Sequence, residues 1–274
     1  MNSDERLDYL VKELCRDSDE YKNIKYKKSD RRALMRSLMN IRRPNPISNE
    51  FLREQDLFLK EEAEEKGIVK LADIPVIKDL YNSKFEFGEK ISVWQGDITR
   101  LDIDAIVNAA NSQMLGCFIP CHKCIDNAIH SAAGIQLREE CYDYMKMQRK
   151  KNKNYEEPTG KAVITFSYNL PCKYVIHTVG PTVSGKPTES LKNDLKSCYE
   201  SCLNEAVKKG VRSIAFCCIS TGEFNFPNYE AALIAVNSVN EFLKANYEKI
   251  DRIVFNVFKD LDKEIYIKLL RNYC

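Results

Sequence analysis

The sequence predicts an α/β fold, in which a mixed, mostly parallel sheet lies between helices and a helical extension precedes it. From residue 91 onward, short apolar segments alternate with longer stretches of helical periodicity, which is typical of a sheet covered by helices. Most of these segments lack polar alternation, so both of their faces should be buried. Before residue 85 the apolar spacing is helical instead. We therefore divide the chain into a helical extension, residues 1–85, and an α/β domain, residues 86–274.

Six segments of the second region are predicted as strands: residues 91–94, 105–107, 162–166, 174–178, 213–218 and 253–258. An apolar stripe from Leu191 to Ala206 predicts a helix between two of them, and Gly210 is its expected end. In folds of this kind, ligands bind at the carboxyl ends of the strands. The polar loops that follow the strands are therefore the expected location of a site.

The first 85 residues predict a small helical unit. Apolar residues at helical spacing between Leu7 and Leu14 indicate one helix, and a charged amphipathic segment at residues 51–65 indicates another. Basic residues cluster between Lys22 and Arg36. We interpret this cluster as a solvated helix face, with contact to acidic partners as the alternative.

Composition excludes several classes of protein. A formal net charge of +2 provides no global attraction to nucleic acid or to membranes. No apolar run approaches the length of a membrane span, and the N-terminus does not resemble a signal peptide. We expect a soluble, cytoplasmic protein without nucleic-acid or membrane partners. The eleven cysteines are odd in number and spread over predicted strands and helices, so we expect reduced thiols apart from any metal ligands.

A group of soft metal ligands lies in one short loop. Cys117, His122 and Cys124 form a C-x4-H-x-C set, and zinc binds thiolates and imidazoles readily. Three protein ligands leave a fourth position for water or substrate, which is typical of a catalytic zinc site. Cys121 offers a fourth ligand, although neighbouring side chains on an extended loop tend to point apart. The alternative is a set of small buried thiols beside an ordinary histidine.

Small polar residues also follow a predicted strand at residues 219–227, just before the expected start of a helix near Asn228. The hydroxyls, Gly222 and the helix start provide donors for an anion such as a diphosphate, and Phe226 offers a flat face for a sugar. The alternative is an ordinary turn after a strand.

Five motifs together resemble the macrodomain family, and specifically its zinc-containing branch of protein mono-ADP-ribosylhydrolases. They are residues 95–99 (QGDIT), 107–111 (VNAAN), 116–130, 174–181 (YVIHTVGP) and 220–224 (STGEF). The resemblance covers residues 90–271 densely and extends through the leader to nearly the whole chain. It implies a macrodomain-like fold with an ADP-ribose site.

The resemblance also implies a role for each matching residue. Asp97 would accept the adenine amino group beside the Ile98 backbone, and Phe258 would stack on the base. Asn108 and Asn111 would lie at the ribose nearest the scissile bond. A further set would hold the diphosphate through backbone amides: Ser220, Thr221, Gly222, Glu223 and Phe224.

Three further assignments concern the reacting end. Phe226 would pack against the distal ribose, and the zinc ligands of the branch correspond to Cys117, His122 and Cys124. Asp126 is our candidate for the general base or for positioning water, with Asn111 orienting the ribose. The alternative role of Asp126 is a favourable charge at a helix start. His130 and His177 are interpreted as buried hydrogen-bonding groups outside the site.

The function implied is zinc-dependent removal of mono-ADP-ribose from modified proteins, from ester linkages on Asp or Glu. Family members are often encoded beside a sirtuin-like transferase and a lipoyl-carrier protein, so a carrier of this kind is the suggested partner. Two alternatives belong to other classes. One is a reader that binds ADP-ribose without cleaving it, and the other is an interaction protein stabilised by a closed zinc site.

Overall fold

The computed structural model describes residues 1–81 and 83–273. The strands are β1 Val69–Lys70, β2 Ile91–Gln95, β3 Leu101–Asp102, β4 Ala105–Ala110, β5 Ala162–Phe166, β6 Tyr174–Val179, β7 Ser213–Phe216 and β8 Arg252–Val257. The helices are α1 Ser3–Arg16, α2 Arg31–Ile41, α3 Asn49–Lys66, α4 Ile77–Tyr81, α5 Ile125–Ala133, α6 Ile135–Lys151, α7 Glu189–Lys209, α8 Asn228–Asn246 and α9 Asp260–Arg271.

The main sheet has the strand order β2-β8-β7-β4-β6-β5. Its strands pair in parallel except for the edge strand β5, which runs antiparallel to β6. The α/β prediction and its six strands are therefore confirmed, with ends that differ by three residues or fewer. The two-residue strands β1 and β3 form a separate parallel pair that the sequence pattern did not predict. Since parallel strands share their direction, the loops after β2, β8, β7, β4 and β6 lie at one edge of the sheet.

One hydrophobic core runs through the sheet and the helices that cover it. Ile106 of β4, Leu203 of α7 and Val254 of β8 are completely buried within it. The predicted helix over residues 191–206 is confirmed as α7, which ends at Gly210 in the left-handed conformation, with φ of 75°. This rigid core fixes where each strand ends, and so where each loop of the site begins.

The helices α1, α2 and α3 form a second, smaller hydrophobic cluster. Leu10, Met35 and Phe51 are completely buried there, and Ile135 at the start of α6 belongs to the same cluster. Ile77 of α4 packs instead in the main core. The division at residue 85 stays a prediction, since packing clusters do not show independent folding.

The basic cluster of the extension contains ion pairs with nearby acids. Arg31 is 5% exposed and pairs with Asp4 and Asp8, while Arg32 pairs with Glu62 of α3. The interpretation of the basic cluster as a solvated helix face was therefore wrong at Arg31. Helix α1 covers this side of α2, and its Asp4 and Asp8 pair with the guanidinium.

In the described ranges, no helix is both long and apolar enough to cross a membrane. The ten cysteines within those ranges are free thiols, and Cys274 lies outside them.

Candidate active site

The adenine end of the predicted site lies where β2 and β8 finish side by side. These strands pair in parallel with Gln95 opposite Val257, and the Gly96 N–H donates to the Val257 carbonyl at 3.0 Å. Phe258 follows β8 directly, and Asp97 lies two residues after the end of β2. The sheet register thus brings together two residues that lie far apart in the sequence.

Asp97 and Phe258 differ in how they are held. Asp97 is half-buried, and its Oδ1 accepts from the Thr99 N–H at 3.0 Å and from the Thr99 hydroxyl at 2.7 Å. Both bonds use Oδ1, so Oδ2 is available to a ligand donor. The Ile98 side chain is buried, which leaves its backbone to face a ligand. Phe258 is 76% exposed and presents a free aromatic ring.

The three predicted metal ligands come together in the loop between β4 and α5. Their ligand atoms all lie within 4.8 Å of one another, and the Cys117 Sγ lies 3.6 Å from the His122 Nδ1. With zinc bonds of about 2.3 Å to sulfur and 2.0 Å to nitrogen, ligand atoms of a tetrahedral site stand about 3.5 Å apart. The spacing of Cys117, His122 and Cys124 therefore fits one zinc ion.

Cys124 is also the N-cap of α5. Its Sγ accepts from the Asn127 N–H at 3.4 Å, so the thiol lies at the positive end of the helix. Burial raises the pKa of the Cys124 thiol to about 12, and the Asn127 N–H opposes that rise.

Cys121 is separate from this ligand group. Its Sγ lies 3.2 Å from the Ser37 Oγ and 3.5 Å from the Ala33 carbonyl, both on α2. A positive φ of 51° turns the backbone at Cys121, so its side chain faces the extension. This geometry supports a site with three protein ligands. It does not support Cys121 as a fourth ligand.

Asp126 and Asn111 lie beside the loop of the three candidate metal ligands, residues 117–124, which we call the metal loop. The Asn111 amide donates to Asp126 Oδ2 at 3.4 Å and to the Gly116 carbonyl at 3.1 Å. Asp126 is 5% exposed, and burial raises its pKa to about 6, while the Asn108 hydrogen bond and the Arg138 charge act in the opposite direction. The structure therefore brings together Asn111, predicted to orient the ribose, and Asp126, the candidate base, while both roles stay predictions.

Asn108 lies deeper than predicted. It is completely buried, and its amide donates to Asp126 Oδ1 at 2.8 Å and lies 3.1 Å from the His177 Nδ1. The expected ribose contact is wrong for this side chain, because Asn108 lies within β4, opposite His177 of β6, rather than at the end of the strand. Asn108 instead contacts Asp126 and so helps to fix the position of its carboxylate.

Two buried histidines stand behind Asp126. The His130 Nε2 lies 3.5 Å from Asp126 Oδ1, and neither ring nitrogen of His130 has a hydrogen-bond partner in the described ranges. The His177 Nε2 lies 3.0 Å from the Thr165 Oγ1. Burial lowers the pKa of His177 to about 3 and that of His130 well below its ordinary value, so both rings are neutral. They line the back of the site without facing solvent.

The loop after β7 has the features of an anion site. Within the described residues, the N–H groups of Gly222, Glu223 and Phe224 donate to no acceptor, and three adjacent free amides suit a diphosphate. Ser220 has a φ of 64° and a buried hydroxyl, and Thr221 is half-buried. Backbone contacts from this loop to a diphosphate stay a prediction.

Phe226 is not where the sequence suggested. The ring is 1% exposed and belongs to the main core, so it cannot offer a face to a sugar. Phe224, two residues earlier, is half-buried at the rim of the same loop. The expected ribose contact of Phe226 is therefore wrong, because its ring packs in the main core.

Comparison with known proteins agrees with this geometry. The Macro domain model matches residues 107–235. A Treponema medium protein named "Protein-ADP-ribose hydrolase" is 47% identical over 272 residues, with 98% of this chain and all of that protein covered. The chain belongs to the macrodomain family. A Staphylococcus aureus protein of the same name is 44% identical, with 95% of this chain and 93% of that protein covered.

A solved structure supports the assignment of the fold. The Trypanosoma brucei macrodomain determined in complex with ADP-ribose is 28% identical, has a TM-score of 0.63, and is matched over 85% of this chain and 94% of that chain. The fold prediction is thereby confirmed, including the N-terminal helical region of this macrodomain.

The structure shows two features of this macrodomain that sequence reasoning missed. The Glu223 carboxylate lies 3.6 Å from the His122 Nε2, so the loop after β7 reaches the loop of the three candidate metal ligands. A Cβ at Gly180 would lie 2.1 Å from the Ser220 Oγ, so only glycine lets the loop approach the end of β6. Gly180 lies two residues after the predicted strand at residues 174–178, and that position was the available signal.

Proposed function

We propose that this macrodomain is a zinc-dependent hydrolase that removes mono-ADP-ribose from modified proteins, acting on ester linkages to Asp or Glu. The expectation of an enzyme in the protein-ADP-ribose hydrolase class is confirmed by the curated relatives of that name, which match nearly the whole chain. The single observation that supports zinc is the convergence of two thiols and one imidazole within 4.8 Å in the loop between β4 and α5.

The zinc ligands would be the Sγ atoms of Cys117 and Cys124 and the Nδ1 of His122. This choice leaves the His122 Nε2 on the side of the Glu223 carboxylate, which lies 3.6 Å away. A carboxylate near the second ring nitrogen is typical of ligating histidines. Zinc held by these three residues would supply Lewis-acid polarisation of an oxygen ligand.

The protein residues contribute the remaining chemistry. Asn111 orients the terminal ribose, and Asp126 accepts a proton from the attacking water or holds that water in place. Asn108 keeps the Asp126 carboxylate fixed from behind, at 2.8 Å. The bond between the ribose and the carboxylate oxygen breaks, and the products are ADP-ribose and a free Asp or Glu side chain. A carboxylate is a good leaving group, so this set of groups suffices.

The ligand of this site is ADP-ribose joined to a protein. Free amides at residues 222–224 suit the diphosphate, and Asp97 with Phe258 suits the adenine. A lipoyl-carrier protein as the modified partner and a cytoplasmic location are further proposals that follow from the family resemblance.

Metal content and linkage-specific cleavage test this proposal together. Purified protein should contain about one zinc per chain, and Cys124→Ala should lose it while the fold survives. A protein ADP-ribosylated on Asp or Glu should be cleaved by the wild type, and on the order of 10²-fold more slowly by the variant. Cys15→Ala, at a buried thiol in α1, is the matched control and should keep its zinc.

Native protein without zinc would overturn the metal dependence. A zinc-loaded wild type that binds ADP-ribose but cleaves no linkage would instead support the reader. A closed site with four protein ligands is the remaining outcome, and cobalt substitution would detect it by its absorption spectrum.

A further inference from the structure

Helix α2 of the N-terminal extension contacts the metal loop directly. The Arg36 Nη2 donates to the His122 carbonyl at 3.2 Å and to the Asn127 Oδ1 at 2.8 Å, and its Nε donates to the same Oδ1 at 3.3 Å. One planar guanidinium therefore joins two points of the chain on either side of Cys124. Such a fork fixes direction as well as distance.

Asn127, which Arg36 holds, in turn contacts a second proposed metal ligand, Cys124. Its backbone N–H donates to the Cys124 Sγ at 3.4 Å, and its side-chain amide donates to the Ile119 carbonyl at 2.9 Å. Arg36 thus acts on the His122 backbone directly, and on Cys124 through Asn127.

A second residue of α2 holds the turn of the same loop. The Cys121 N–H donates to the Asn40 Oδ1 at 2.9 Å, and the Asn40 amide donates to the Ser131 Oγ of α5 at the same distance. Cys121 has a φ of 51°, a conformation that is unfavourable for a residue with a side chain. The turn between Cys117 and Cys124 is therefore held from outside the loop.

We propose that Arg36 is a positioning residue of the zinc site, which makes α2 a structural part of the metal centre. The proposal rests on the zinc-dependent function proposed above. Arg36 does not touch a ligand atom. It holds the backbone of His122 and the start of α5 in the geometry in which three ligand atoms face one point. Groups that orient metal ligands typically contribute a factor of about 10 to 100 in metal affinity.

The competing explanation is that Arg36 only anchors the extension to the α/β domain. Arg32 provides the matched control, because it lies one turn earlier on the same helix and pairs with Glu62 of α3 without contacting the metal loop. A general weakening of the extension should affect both positions, whereas an effect on the metal should appear only at Arg36.

The experiment compares Arg36→Lys with Arg32→Lys in the full chain. Each variant keeps its charge and helix but loses the planar fork, so both should fold. Zinc affinity is measured by competition with a chromophoric chelator, and thermal unfolding is measured on the metal-free proteins. We expect the zinc dissociation constant of Arg36→Lys to rise about 10- to 100-fold, and that of Arg32→Lys to match the wild type. Excess zinc should restore hydrolysis by Arg36→Lys.

Equal zinc affinity in the two variants would overturn the role of Arg36 while leaving zinc-dependent hydrolysis intact. Slower hydrolysis that excess zinc fails to restore, with unchanged affinity, would show a purely structural anchor. A wild type that binds no zinc would overturn the proposed function, and the role of Arg36 with it. Arg36→Ala is the second variant and should weaken zinc binding at least as much as Arg36→Lys.

Discussion

The two ends of the site are built in different ways. At the proposed metal end, other side chains hold the candidate reacting groups: Asn108 contacts Asp126, and Arg36 contacts the His122 backbone. At the proposed adenine end, the sheet register brings Asp97 and Phe258 together. Thr99 holds one oxygen of Asp97, whereas the Phe258 ring is 76% exposed. The metal end is therefore fixed before a substrate arrives, while the adenine end is open.

This difference predicts which kinetic quantity each end controls. Groups fixed in advance stabilise a transition state without reorganisation, so their loss should lower the rate of bond breaking. An exposed aromatic ring that stacks on the base stabilises the ground state and the transition state equally. Its loss should therefore weaken binding without lowering the rate of bond breaking in the enzyme–substrate complex.

The largest expected effect is that of Asp126→Asn. The amide keeps an acceptor for Asn108 but cannot take a proton, so single-turnover cleavage of an ADP-ribosylated carboxylate should slow on the order of 10²-fold. ADP-ribose affinity, measured by calorimetry, should stay close to that of the wild type. Asp143→Asn, on the exposed surface of α6, is the control and should cleave normally. A wild-type rate in Asp126→Asn would leave this residue only its role at the start of α5.

Much of the fold and the local part of the site could be predicted from the sequence. The strands were visible because segments buried on both faces are short apolar runs. The three proposed metal ligands could be identified from the sequence because eight consecutive residues contain all of them. What the pattern could not supply was side-chain direction. Asn108 and Asn111 lie three residues apart, but β4 ends between them, at Ala110. Asn108 is therefore buried within the strand, whereas Asn111 reaches the loop.

Long-range contacts were the other limit. Arg36 lies 86 residues before His122 in the chain, and within its own segment it is one basic residue among many. Charge pattern alone favoured a solvated face, and only tertiary packing places this guanidinium against the metal loop. The same holds for Phe226. Its loop contains two phenylalanines, Phe224 and Phe226, and the sequence does not show which of them is buried in the core.

An intermediate effect is expected for Gly116→Ala, which tests whether the metal end is as rigid as its contacts suggest. Gly116 has a φ of 76°, and an added Cβ would meet the buried His130 ring at 2.8 Å. Either the ring or the loop must move, and since the Gly116 carbonyl holds Asn111, hydrolysis should fall on the order of tenfold.

The matched control for this change is Gly210→Ala, at a nearly equal φ of 75° with no atom within 4 Å of the added Cβ. It should lose about 1 kcal/mol of unfolding free energy and keep its hydrolysis rate. Equal rates in the two variants would show that the metal end tolerates displacement, and the contrast between the two ends would then be weaker than proposed.

The smallest effect is expected at the open end, for Phe258→Ala. A base stacked on an exposed ring covers only one face, so ADP-ribose affinity should weaken by about 1 kcal/mol, or about fivefold. Single-turnover cleavage at saturating substrate should be unchanged, because the ring contributes equally before and during reaction. Phe166→Ala is the control, since this ring is 58% exposed beside Tyr174, at the beginning of β6 and away from the strand ends that form the site. If Phe258→Ala slowed cleavage at saturation while affinity held, the open end would take part in positioning the ribose, and binding and catalysis could not be divided between the two ends.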